Sequence, residues 1–247
     1  MESDYQLSTG VSKARSLAMA LTVVIVTMAG EFFFRHYFMY WFPAIGDFRV
    51  NDMISLVIVY AVLMLVFGSA THTRWGEALK VVGYSLRDLM KTWDYLPWVL
   101  SIALCGSVLP FVDRYLWGSV KLMPWLISPY RDSTVWFMAQ APVIRVVALV
   151  SVNGFFVPIA EEFLWRGIVQ ARLLRVLPTS LAIGITAVLF SFKHVLVDDS
   201  FGRLLFLTAF GVVCGIVAHR KSWQASASVH MFINTIGTVL ALASGSL

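Results

Sequence analysis

Apolar residues gather in long stretches separated by short polar ones, at about 17–42, 53–70, 95–117, 141–160, 180–197, 203–219 and 224–243. Runs of roughly 17 to 25 residues suit helices crossing a hydrocarbon core about 30 Å thick. The short alternating segments of a membrane barrel are not evident. The pattern therefore predicts an all-α fold, a polytopic transmembrane helical bundle of about seven spans, with eight as the alternative count. Residues 74–92 place Trp75, Leu79, Val82, Leu86 and Leu89 among Arg74, Lys80, Arg87 and Lys91, which predicts an amphipathic helix on the membrane surface. Residues 119–138 hold Pro124, Pro129, Trp125, Tyr130 and Trp136, a composition suited to a non-helical connection at headgroup level. No internal repeat marks an inverted-repeat transporter. Met1 to Ser12 are polar, and no short apolar stretch leads to a small-residue cleavage site, so the first helix is expected to persist.

Composition strengthens the membrane reading. Of 247 residues, 59% are hydrophobic and 13% charged, against roughly half and one quarter in soluble domains. The net charge of +5 is scattered between apolar runs without a basic stripe, so no nucleic-acid partner is expected; the bilayer is the partner. With the N-terminus inside, Lys13, Arg15, Arg74, Lys80, Arg87, Lys91, Arg166, Arg172, Arg175, Arg220 and Lys221 fall on the cytoplasmic side. Arg35, Arg49, Lys121, Arg131 and Arg203 fall opposite. The positive-inside rule then favours an integral membrane protein with N-terminus in and C-terminus out, expected in a prokaryotic plasma (inner) membrane. Cys105 and Cys214 lie inside apolar runs and read as small packing residues rather than a disulfide or metal site.

Ionisable side chains inside apolar spans cost several kcal/mol unless paired or solvated, so each is a functional candidate. Glu161 and Glu162 are adjacent in one span. Glu162 and Arg166, four apart, face each other and can form an ion pair. Glu161 projects about 100° away and is left without that partner. The turn at Leu177-Pro178-Thr179 lies about 17 residues after Glu161 and about 16 before His194, so an antiparallel hairpin brings both to one depth, roughly 25 Å from the turn. A carboxylate and an imidazole there can share a water. His230 and Asn234, four apart in the last span, project from one face, and both can donate hydrogen bonds to an oxyanion. His230 is only about 10 Å past the basic turn at Arg220 and Lys221. Either the helix bearing Glu161 projects beyond the bilayer or the last helix starts deeper. Arg114, Arg145 and Lys193, near or within spans, read as anchors.

Three motifs in order, Glu161-Glu162-x-x-x-Arg166, Phe190-x-x-x-His194 and His230-x-x-x-Asn234, resemble the CAAX protease and bacteriocin-processing (CPBP, or Abi) family, which includes the type II CAAX prenyl endopeptidase. The resemblance covers about residues 141 to 240. It divides the chain into N-terminal helices with interfacial segments, 1–140, and core helices, 141–247. It implies a glutamic-type intramembrane endopeptidase acting on a protein or peptide substrate in the membrane and needing no cofactor. Glu161 and His194 would activate water, His230 and Asn234 would form the oxyanion site, and Glu162, Arg166 and Phe190 would support them. A desolvated carboxylate beside an imidazole agrees with that chemistry. A zinc-dependent membrane metalloprotease using Glu161, His194 and His230 is the nearest alternative, although the His-Glu-x-x-His motif is absent. A non-catalytic membrane scaffold or bacteriocin-immunity protein is another, and a transporter a third.

Overall fold

The computed structural model describes residues 12–37, 48–70, 96–118, 120 and 142–243. Seven helices and no strand occur among these residues, as the apolar pattern predicts. We number them α1 (Lys13–His36), α2 (Phe48–Ala70), α3 (Leu96–Trp117), α4 (142–173), α5 (Thr179–Asp198), α6 (Leu204–Arg220) and α7 (Trp223–Ala243). All except the 17-residue α6 are long and apolar enough to cross a membrane. The interfacial segments expected at 74–92 and 119–138 lie outside the described residues, Val120 excepted.

Helix α4 departs most from the expected span of 141–160. It continues to residue 173, alternating α-helix with π-helix at Leu149–Phe156 and Phe163–Gln170. Its neighbours give it partners along this length: α7 packs on Leu149–Phe156, α1 on Phe163–Gln170, and α2 on both. The second π segment is almost wholly buried, Arg166 and Gln170 included. Arg166 is therefore not a cytoplasmic anchor. It sits in the bundle interior, where the Glu162 carboxylate offsets its charge.

Close approach of α5, α6 and α4 depends on small residues, as expected where lipid offers no hydrophobic drive between helices. A Cβ at Gly211 would stand 2.9 Å from the Ala187 Cα, and one at Gly215 would stand 2.8 Å from both Gln170 and Ile183. Bare backbone at these two turns leaves their carbonyls reachable. Arg166 donates to the Gly211 oxygen at 3.1 Å and Gln170 to the Gly215 oxygen at 2.9 Å.

Helix ends are fastened by charge. Asp113 on α3 accepts from the backbone N–H groups of Leu205 and Phe206 at 2.9 and 3.0 Å, capping the start of α6 from a neighbouring helix. Arg35 at the end of α1 forks onto Asp52 at the start of α2, at 3.0 and 3.3 Å, and lies 4.0 Å from Asp198 at the end of α5. Asp198 also pairs with Arg203. Asp199 closes α5 in the left-handed conformation, φ 48°, which a short polar side chain tolerates. The ends of α1, α3 and α5 and the starts of α2 and α6 thus share one face of the bundle.

Candidate active site

Glu162 and Glu161 point to different neighbours, and two layers of polar contact grow from that divergence. Glu162 is fully buried. Its Oε1 pairs with Arg166 Nη1 at 3.1 Å and accepts from His230 Nδ1 at 2.9 Å, while Oε2 accepts from Ser226 at 2.6 Å. The Arg166 guanidinium also lies 4.6 Å from the centre of the Phe190 ring, a favourable cation–π placement. The His230 contact answers the depth question. The Ser226 hydroxyl, one turn into α7, also lies 3.0 Å from the Cys214 carbonyl, well before the end of α6, so its one hydrogen serves Glu162 or Cys214. The last helix therefore starts deeper than its neighbour ends.

Glu161 is not left without a partner. Its Oε1 receives the Lys193 ammonium at 2.5 Å and lies 2.9 Å from the Tyr60 hydroxyl. Lys193 also reaches Glu31 Oε2 at 2.9 Å and donates to the Tyr60 oxygen at 3.2 Å. Three ammonium hydrogens thus meet three oxygens, which satisfies the group. Tyr60 lies 2.7 Å from Glu31 Oε2, so its one hydrogen serves either carboxylate in turn. Lys193 has no exposed surface. Its assignment as an anchor is corrected: a charge at this depth is retained only with its counter-charges, and Glu161 and Glu31 supply them. Arg114 is exposed at the end of α3, where an anchor can sit; the Arg145 side chain lies outside the described residues.

Both histidines turn their Nε2 atoms toward Glu161. His194 Nε2 stands 3.9 Å from Glu161 Oε1, and His230 Nε2 stands 3.8 Å from Oε2. Those gaps exceed a direct hydrogen bond and leave room for an atom between. The opposite ring nitrogens are committed. His194 Nδ1 donates to the Phe190 carbonyl at 3.0 Å, and His230 Nδ1 faces the Glu162 carboxylate. A neutral ring at either position therefore presents a lone pair at Nε2, and His230 donates from Nε2 only as an imidazolium, with Glu162 as counter-charge. Asn234 donates one amide hydrogen to the Asn153 carbonyl at 3.1 Å, in the first π segment, leaving a second hydrogen uncommitted by that bond.

Glu161, His194, His230 and Asn234 line one cavity of about 250 Å³ together with Phe190, Phe206, Leu207, Phe210 and Ile233. Its polar rim is Arg35, Asp52, Asp198 and Arg203. The sequence-predicted residues are thus brought together. Among the described residues no group of three or more His, Cys, Asp or Glu side chains is set to hold a metal ion. The zinc arrangement of Glu161, His194 and His230 also meets the Lys193 ammonium, which already occupies one carboxylate oxygen.

Residues 143–236 match the model of the family described as Type II CAAX prenyl endopeptidase Rce1-like. This stretch, well under half of the 247 residues, is what is similar to the Rce1-like family. The similarity supports a membrane endopeptidase in general type. No curated protein and no solved structure matches the chain. The Rce1-like segment contains Glu161, Lys193, His194, His230 and Asn234, whereas Glu31, Tyr60, Arg35 and Asp52 come from α1 and α2, outside it. Sequence reasoning missed Glu31, Tyr60 and the role of Lys193. A signal existed for two of them, since Glu31 and Lys193 are charges inside apolar spans, as Glu161 is.

Proposed function

We propose that the Rce1-like domain hydrolyses a peptide bond of a membrane-associated protein or peptide by a metal-free, glutamic-type mechanism. The observation that carries this reading is the convergence of both Nε2 atoms on the two oxygens of Glu161, with each ring fixed through its other nitrogen. A water held between Glu161 and His194 Nε2 attacks the scissile carbonyl carbon and gives up a proton to them as the bond forms. The developing oxyanion accepts from Asn234 Nδ2 and from Nε2–H of a protonated His230. Collapse of the tetrahedral intermediate breaks the C–N bond and returns the proton to the leaving amine. Lys193 and Tyr60, both in contact with Glu31, hold Glu161 Oε1 and leave Oε2 free of those contacts. Arg166 and Phe190 brace Glu162 and the two rings.

The test is mass spectrometry of new protein termini in cells carrying the wild type or Glu161→Gln, which keeps the side-chain shape. Termini present only with the wild type are expected; none depending on Glu161 would defeat the proposal and favour a scaffold. With a cleaved substrate in hand, Asn234→Ala should lower kcat about 10²- to 10³-fold. Activity of the purified protein in strong chelator should be unchanged. Chelator-sensitive cleavage with stoichiometric zinc would instead support the metalloprotease.

A further inference from the structure

We infer that this site is entered from the extracytoplasmic face of the membrane, and that its substrate is a membrane-anchored protein cleaved in a segment emerging on that face. The cavity is not central in the bundle. His194 is one turn from the end of α5 at Asp198, roughly 6 Å, and about 22 Å from the start of the helix at Thr179. Glu31 lies little more than a turn from the end of α1. The polar residues of the cavity rim, Arg35, Asp52, Asp198 and Arg203, all belong to the face where α1 and α5 end and α2 and α6 begin. Toward the opposite face the bundle is filled by Leu164, Trp165, Ile168 and Gln170, each 2% exposed or less.

Charge distinguishes the two faces. At the far face the described residues place six basic side chains, Lys13, Arg15, Arg172, Arg175, Arg220 and Lys221. The helix directions are fixed by contacts: α1 packs on the end of α4, and the Arg220 guanidinium at the end of α6 lies 5.6 Å from the Trp98 ring at the start of α3. At the rim face the described residues place three, Arg35, Arg114 and Arg203, among Asp52, Asp113, Asp198 and Asp199. The face richer in Lys and Arg stays in the cytoplasm. The cavity therefore faces out, and a cytoplasmic tail cannot reach Glu161 without crossing the bilayer. The balanced charges of the rim suit a polar segment at the membrane surface, and the wall of Phe206, Leu207 and Phe210 suits apolar side chains beside the scissile bond.

Sidedness can be tested without catalysis. In full-length protein with Cys105 and Cys214 replaced by alanine, single cysteines are placed at Ser200, beside the rim, at Ser180, exposed at the far face, and at Ile233, inside the cavity. A membrane-impermeant maleimide added to spheroplasts should label Ser200→Cys and Ile233→Cys, and should label Ser180→Cys only after lysis. Labelling of Ser180→Cys in intact spheroplasts, or no labelling of Ile233→Cys from outside, overturns the inference. The substrate half rests on the proposed protease reading and is read separately: Glu161-dependent termini should fall in extracytoplasmic segments next to a span. Cytoplasmic termini overturn the inference while sparing the protease reading. Absence of any Glu161-dependent terminus defeats the protease reading and leaves the labelling result standing.

Discussion

Lys193 holds two buried carboxylates from different parts of the chain, Glu161 and, across α1, Glu31. Removing one partner of such a group typically costs about 3 to 5 kcal/mol, because the remaining charges stay buried. Lys193→Met should therefore lower the thermal unfolding temperature in detergent strongly. Lys193→Met combined with Glu31→Gln should recover part of that loss, since one uncompensated charge is removed. Equal, additive losses would show that the contact carries no coupling. Glu162 has a different duty: its carboxylate meets His230 Nδ1 at 2.9 Å. Glu162→Gln, which removes the counter-charge to an imidazolium, should lower kcat with little change in KM, as expected for an interaction realised in the transition state. These partners explain what the sequence could and could not disclose at this scale. The pairing of Glu162 with Arg166 is local, four residues apart, and is legible from helix spacing. Lys193 stands 133 residues from Tyr60, and Glu161 stands 101 from it. No local periodicity encodes a contact of that separation.

Helix positions were legible because lipid demands long apolar runs, and the described helices fall close to the predicted spans except α4, which runs on to residue 173. The π-helical turns of α4 were not, since a widened turn arises from contacts with neighbouring helices rather than from residue propensity. Their effect is visible at Asn153 and Gly154, whose carbonyls accept from Asn234 at 3.1 Å and Thr235 at 3.4 Å on α7. Packing of α5 on α6 provides the test at this scale. Gly211→Val forces a side chain against the Ala187 backbone and disturbs the carbonyl that Arg166 uses. A cost of at least about 1 to 3 kcal/mol is expected, read as a lower unfolding temperature together with reduced activity, because α5 carries Lys193 and His194. Gly184 lies on the same helix, and an added Cβ there meets no atom within 4 Å. Gly184→Ala should be neutral or stabilising by up to about 1 kcal/mol. Equal destabilisation by both would mean that helix flexibility, not close approach, sets the effect.

In the whole molecule, the match to the Rce1-like family ends short of the site that the fold builds. Residues 143–236 hold the carboxylates, imidazoles and amide proposed to act on substrate, yet Glu31 and Tyr60, which meet Lys193 beside Glu161, arrive on α1 and α2. Without those helices Lys193 and Glu161 would face lipid on one side, where polar groups are costly. The apolar surface so exposed would cost little, because lipid tails are as apolar as the helices that left. Assembly of the two parts should then depend on the polar contacts more than on area. Residues 1–140 and 141–247, expressed as separate chains in one membrane, are expected to associate and restore Glu161-dependent cleavage, whereas 141–247 by itself should show none. The decisive comparison places Glu31→Ala in the 1–140 chain. Loss of co-purification and of cleavage with that substitution shows that the buried ion cluster joins the halves; unimpaired rescue shows that van der Waals packing of α1 and α2 on α4 suffices.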